Sequence, residues 1–407
     1  MKKVLVFAAV VLIAVSCVFA GDVKFVLGEL AQHPEVLFGF CPTLTTVGAS
    51  YEGLELVEGN LTQLQAIAGG GYAQLVLFQD PSTGEPLLYD QGIYDSIQFR
   101  WNLKILQGFG DSWVEGKDLV TVYAGYEGRF EKNMDSMAVG KERKRGYVKL
   151  PDGLTAGKSS IKALDIWFVD HGTTRESNEI YPDLAGGETA FMNNLYIGAR
   201  LNGMDDRMVS NEGVLAELKL QFAPGLLNRK ASYYSITLNA VAGTTLYELK
   251  DASTGRNSFS IVVLDRVNLN WTDGSKVPVY AQQPVSLGRK VRGFNTGSYN
   301  TNFTVVNNFD IRFAGPEPFI DGIFPRANLF FDMGYYAGDY FNTGISALDM
   351  AEKYGLERFL CSTGVQLEVC FFDMFDLGLQ VAYLVNGSNL RDPGSRVITG
   401  ATFFLDF

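Results

Sequence analysis

Arg292 stands in the tetrapeptide Val291-Arg292-Gly293-Phe294, and two aspartates follow it in strand-like surroundings. Asp310 lies in Asn308-Phe309-Asp310-Ile311-Arg312, and Asp332 in Phe330-Phe331-Asp332-Met333-Gly334. A guanidinium presents a planar fork of N–H donors, so either carboxylate could take it as a bidentate, charge-assisted pair, with Gly293 permitting a tight backbone beside it. This is chemistry of holding, not of turnover. Where water is excluded, removing one partner would strand a charge at about 3 to 5 kcal/mol. The alternative is that Arg292 is a solvated loop cation.

Residues for catalysis are scarce. His33 and His171 are the only imidazoles. Asp170 beside His171 would point the other way in a strand, so adjacency makes no dyad. Gly153 to Ser159 ends in Gly157-Lys158-Ser159 but is one residue short of a phosphate-loop spacing, so no nucleotide is expected. No metal-ligand spacing occurs, and neither metal nor cofactor is called for. Lys141, Arg143, Lys144 and Arg145 read as a solvated loop, with anionic lipid headgroups as the other option. We expect no enzyme.

Composition narrows the classes further. The chain has 407 residues, 47% of them hydrophobic, with 44 Gly and 13 Pro in no triplet period, which excludes a disordered or collagen-like chain. A formal charge of −11 and a pI near 4.9 would repel phosphate backbones, so nucleic acid is not expected as a partner. Lys2 and Lys3 precede an apolar run from Val4 to Val15, and Val18-Phe19-Ala20 supplies a cleavage site, so residues 1–20 read as a signal peptide. Cleavage before a lipidated Cys17 is the rival reading. Without Cys17, Cys41, Cys361 and Cys370 form an odd set that implies no disulfide framework; burial as small apolar residues is their expected fate.

The elements that must position Arg292 and its acids are strands. Ile97, Phe99, Trp101, Leu103 and Ile105 alternate with Gln98, Arg100, Asn102 and Lys104, and the same dyad recurs over Val120 to Phe130 and Val214 to Phe222. These segments run ten to fourteen residues. That length suits a tilted strand crossing a bilayer, apolar side outward and charged side toward a lumen, and unpaired edges in lipid would force closure. On strand parity Asn308, Asp310 and Arg312 share one face, as do Phe330, Asp332 and Gly334, so both acids point into the lumen. Polar stretches near 140 to 160, 172 to 190, 250 to 258 and 340 to 357 read as loops, with a short helix possible over Ala347 to Tyr354. Gly69-Gly70-Gly71 reads as a flexible strand or a close backbone approach.

Two resemblances join this reading. Phe403, Leu405 and Phe407 alternate up to the last residue and look like the C-terminal β-signal by which bacterial outer-membrane barrels reach their assembly machinery. Val291 to Phe294 resembles the tip of the inward-folded loop of the BamA-like bacterial surface antigen superfamily. Phe330-x-Asp332-x-Gly334 fits that family's strand motif, and Asn308-x-Asp310-x-Arg312 resembles its Asn-x-Glu-x-Arg strand with a shorter acid. Five strand-like segments follow the loop, near 301–314, 323–337, 359–372, 375–386 and 397–407, in the number and order the family shows. The resemblance implies an all-β transmembrane antiparallel barrel of about sixteen strands with one long loop folded into the lumen. It also implies that Arg292 meets Asp332 or Asp310 there. Polypeptide-transport-associated domains, usual in the family, have no counterpart between Gly21 and a first barrel strand near Val36.

The organisation expected is therefore a signal peptide at 1–20, a short segment at 21–35 and a barrel over 36–407 in a bacterial outer membrane. Its function by resemblance is insertion or translocation of polypeptide, or of lipid, with outer-membrane lipids, the barrel assembly machinery and a polypeptide substrate as partners. A passive pore for small solutes and a structural surface barrel are the alternatives.

Overall fold

A computed structural model of the chain describes residues 22–27, 45–78, 90–112, 118–133, 142–147, 158–163, 190–205, 212–228, 231–251, 257–277, 283–284, 291–294, 300–316, 323–337, 358–371, 375–387 and 395–405. All regular elements among them are strands. In order these are β1 (Asp22–Leu27), β2 (Thr45–Val57), β3 (Asn60–Phe78), β4 (Asp90–Asp111), β5 (Asp118–Asn133), β6 (Glu142–Tyr147), β7 (Lys158–Ala163), β8 (Ala190–Met204) and β9 (Gly213–Ala223). There follow β10 (Ser232–Lys250), β11 (Asn257–Lys276), β12 (Gln283–Pro284), β13 (Asn300–Thr301), β14 (Phe303–Ala314), β15 (Ile323–Ala337), β16 (Phe359–Phe371), β17 (Phe375–Asn386) and β18 (Val397–Leu405). None of the described residues forms a helix long and apolar enough to cross a membrane.

One sheet takes in sixteen of these strands, and its path runs β1-β2-β3-β4-β5-β8-β9-β10-β11-β14-β15-β16-β17-β18 with antiparallel neighbours throughout. The path has fourteen strands where the resemblance implies about sixteen. The other two, β6 and β7, form a short hairpin off the path, and β7 lies parallel to β4 from Asp90 to Ile93. The five strands expected after the loop are β14 to β18.

Two expectations need correction. β1 lies inside the stretch 21–35 that was read as preceding the barrel; its six residues are too short a period-two signal to stand out. β6 and β7 put a hairpin into the expected loop at 140–160, carrying Arg143, Lys144 and Arg145. Lys158 and Ser159 open β7. His33, His171, Cys41, residues 1–20, the segment 347–354 and Phe407 lie outside the described residues.

The two faces of the sheet invert the arrangement of a soluble protein. Leu218, Leu220 and Phe222 of β9 and Leu377, Leu379 and Val381 of β17 are exposed, whereas Gln98, Arg129, Asn194, Asp310, Asp332, Gln366 and Glu368 are buried. Polar side chains need partners when water is removed, and apolar ones can stand outward only where the surroundings are apolar. Aromatic pairs sit toward the strand ends, Tyr234 with Trp271 at 5.4 Å between centroids and Tyr247 with Phe259 at 6.3 Å. Along β11, Trp271 and Phe259 are separated by about 40 Å of strand, which at a tilt of about 40° spans about 30 Å along the membrane normal, the thickness of a hydrocarbon core.

The inward face is braced by large rings lying over glycine. A Cβ on Gly198 would fall 2.3 Å from the Tyr123 ring, and one on Gly125 would fall 2.3 Å from the Tyr196 ring. The two rings pack edge to face at 6.0 Å, Tyr123 Oη donates to Glu217 at 2.5 Å, and Tyr196 Oη donates to Asn102 at 2.5 Å. Lys104 and Lys219 cap the two rings at 4.5 Å. These contacts tie β4, β5, β8 and β9 together across the lumen face.

Candidate functional site

The site is a clasp around the tip at Val291 to Phe294. β12 and β13 pair over Gln283↔Thr301 and Pro284↔Asn300, drawing together the two ends of the segment that carries this tip. The tip itself is a turn, closed by Phe294 N–H donating to the Val291 carbonyl at 3.3 Å. Val291 and Phe294 are buried, so the apolar residues either side of Arg292 anchor the turn. Gly293 has φ +91, and a Cβ there would stand 2.6 Å from the Ala382 Cβ of β17, so both its conformation and its contact with the wall require glycine.

Arg292 spends its donors on three strands. Its Nε donates to Asp332 Oδ2 at 2.8 Å and its Nη2 to Asp332 Oδ1 at 2.7 Å, the bidentate geometry, while its backbone N–H adds a third bond to Asp332 Oδ2 at 2.8 Å. Nη2 also donates to Asp310 Oδ1 at 2.6 Å, and Nη1 to Gln366 Oε1 at 3.1 Å. The guanidinium carbon stands 4.0 Å from the centroid of the buried Phe330 ring, and Ser362 Oγ donates to the Arg292 carbonyl at 2.5 Å. Asp310 takes a second cation, Arg266 of β11, at 2.6 Å.

Burial decides what this arrangement is worth. Asp332 is 0% and Asp310 1% exposed, so neither acid can turn to water if Arg292 leaves. For Arg292 itself, burial disfavours the charged form, but the hydrogen bonds and charges of Asp332 and Asp310 outweigh it and hold the proton more tightly than on a free guanidinium. The clasp therefore carries a permanent cation between two dry carboxylates.

The alternation reading also named Asn308, Arg312, Phe330, Gly334 and the C-terminal residues. Asn308 lies in register with Asp332, and Gly334 with Val306. Arg312 is buried on the same inward face of β14, two positions beyond Asp310. Phe330 forms the floor under the guanidinium. Phe403 and Leu405 belong to β18, in register with Leu377 and Phe375, on the strand furthest from the clasp in this part of the sheet.

Several partners of the clasp were not singled out from sequence. Gln366 passes the contact on: its Nε2 donates to Glu368 Oε1. Arg326 donates to Glu368 Oε2 through Nε at 2.9 Å and also bonds Asp376, while Asn328 reaches Glu368 at 3.1 Å. A continuous polar line thus runs from Arg266 on β11 to Asp376 on β17. The only local signal was the inward parity of Gln366 and Glu368 on β16. Cys361 and Cys370 are buried free thiols. Among the described residues no group of His, Cys, Asp and Glu is placed to hold a metal ion.

Among solved structures, BamA from Haemophilus ducreyi lacking POTRA domains 1-3 is 12% identical with a TM-score of 0.45, over 94% of this chain and 70% of that one. CdiB from Escherichia coli is 9% identical at TM-score 0.46, over 90% of this chain and 54% of that chain, and CdiB from Acinetobacter baumannii is 11% identical at 0.42, over 90% and 51%. The chain thus spans about half the length of each CdiB. None of the curated proteins matches it. A family model, the Omp85 superfamily domain, matches residues 145–385. That span is more than half of the chain and contains Arg292 together with every residue that grips it, and the chain belongs to the Omp85 superfamily.

Proposed function

We propose that this chain is a barrel of a bacterial outer membrane that inserts or translocates polypeptide, with the loop through Arg292 as an inward-folded plug. The observation that carries the reading is the grip on that loop: three bonds to Asp332, one to Asp310 and one to Gln366. A plug so held narrows the lumen, which suits a translocase or insertase better than a wide passive pore. Membership of the Omp85 superfamily supports the same class. The site residues, Val291 to Phe294 with Asp310 and Asp332, act as the plug's latch. The seam beside β18, the strand that carries Phe403 and Leu405, is the place for sideways opening, since losing a few strand bonds there costs little beside the whole wall.

The test is reconstitution of the purified chain in phospholipid vesicles with a urea-unfolded outer-membrane barrel as the added polypeptide. Faster acquisition of protease resistance than in empty vesicles, reduced by Arg292→Ala, is the expected result. A large steady planar-bilayer current that Arg292→Ala leaves unchanged, with no acceleration of folding, would instead assign a passive pore. Neither current nor acceleration would assign a structural surface barrel.

A further inference from the structure

The outward face of the wall carries a polar pair at a depth where only apolar side chains belong. On β11 the outward positions are Ile261, Val263, Asp265, Val267, Leu269 and Trp271, and across the ladder on β14 they are Phe303, Val305, Asn307, Phe309, Ile311 and Phe313. Asn307 Nδ2 donates to Asp265 Oδ1 at 2.5 Å. Asp265 is exposed, and it lies six residues from Trp271 and six from Phe259, midway between the aromatic ends of the strand. Ionisable side chains facing hydrocarbon at mid-depth are costly, and one that faces outward is a candidate contact rather than part of a lumen.

The pair is not saturated, and what remains of it has one sign. Asn307 Nδ2 spends its hydrogens inward, on Asp265 and on the Arg266 carbonyl at 3.3 Å. Facing outward there remain the oxygens Asp265 Oδ2 and Asn307 Oδ1, both able to accept. Asp265 has no cation partner among the described residues. Beside it the wall is low: Ala242 is its register partner on β10, and Ala240 pairs with Ala216 on β9. Small residues next to a polar group are what lets another membrane-embedded segment approach closely and bond. A second copy meeting this face would bring the same acceptors and no cation, because the outward residues of β9, β10, β11, β14 and β15 between the aromatic ends include no Lys or Arg.

We propose that Asp265 and Asn307 form the polar floor of a lateral docking site for a membrane-embedded polypeptide segment bearing a lysine or arginine at mid-depth. The site is separate from the Arg292 clasp, on the opposite face of the same strands, and depends only on the wall being a membrane barrel. The partner's cation supplies the donors that the pair lacks, and its backbone lies over Ala216, Ala240 and Ala242.

The test uses the full chain in phosphatidylcholine vesicles with dye-labelled, membrane-spanning leucine-rich peptides, one with a central lysine and one with leucine there, read by energy transfer from a dye on the chain. The expected result is an association about fivefold stronger for the lysine peptide. Asp265→Asn, which keeps the shape, and Asp265→Leu should each abolish the preference. Heat-dependent gel mobility confirms that each variant is folded, and the asparagine variant carries the test should the leucine one fail. Equal association of the two peptides with the unaltered chain, or a lysine preference surviving in Asp265→Asn, would overturn the proposal. So would Asp265-dependent energy transfer between two labelled copies without any peptide, which would assign the patch to self-association.

Discussion

Gln366 Oε1 accepts a hydrogen bond from Arg292 Nη1 at 3.1 Å, and the same amide donates from its Nε2 to Glu368. One neutral side chain thereby joins two ionic groups, the clasp on the loop and the Arg326–Glu368–Asp376 triad on β15, β16 and β17. Because an amide has a donor end and an acceptor end, fixing it at Glu368 turns its oxygen toward the loop. The triad is thus a support for the clasp as well as a tie between strands.

Arg292→Ala is expected to lower the unfolding free energy of the barrel by about 3 kcal/mol, since it leaves two buried carboxylates with one cation fewer. Arg292→Lys keeps the charge but loses the fork, and should recover only part of that. Urea titration in detergent and the digestion rate of the loop by proteinase K, which does not need Arg292 as its cleavage site, measure both. An alanine variant that unfolds and digests like the parent would show Arg292 to be a solvated cation.

Gly293→Ala should displace the tip by two routes, an unfavourable positive φ of +91 and a Cβ set 2.6 Å from that of Ala382. We expect a loss of about 1 to 3 kcal/mol. Adding Ala382→Gly removes the contact and not the backbone strain, so the double variant should regain only part of the loss. Full recovery would show that the strain contributes nothing.

Glu368→Ala should loosen the loop at a distance. It leaves Arg326 with Asp376 alone and releases Gln366, so trypsin sensitivity at Arg292 should rise, though less than in Asp332→Asn, which breaks the bidentate pair itself. In a double-mutant cycle, Glu368→Ala and Gln366→Ala should be coupled by about 0.5 kcal/mol or more, whereas Glu368→Ala and the distant Tyr123→Phe should add. Additive Glu368 and Gln366 effects would mean that the triad and the clasp are independent.

On β8, Gly198→Ala drives a methyl into the Tyr123 ring at 2.3 Å and must push the ring off Glu217. A cost of about 1 to 3 kcal/mol follows. Tyr123→Phe removes the hydrogen bond alone and should cost less. Thermal unfolding followed by far-ultraviolet circular dichroism orders the two variants, and an equal or larger effect of Tyr123→Phe would contradict the packing argument.

Much of the wall is legible in the sequence because alternation is local. Leu218, Leu220 and Phe222 against Glu217, Lys219 and Gln221 state their faces within nine residues, and the inward parity of Asp310 and Asp332 needs no knowledge of neighbouring strands. β1 was missed because six residues give too few periods. β6 and β7 were missed because their pairing is made between two polar stretches whose composition is that of a loop.

From the amino acids alone came the strands after Arg292, the side each residue faces, and the set of acids able to meet the guanidinium. Register and the path of the loop belong to the tertiary structure. Asp310, Asp332 and Gln366 are 18, 40 and 74 residues from Arg292 in the chain, and no local periodicity can say which of several inward polar groups will converge. That choice follows from strand pairing and from the desolvation that penalises every unpaired alternative.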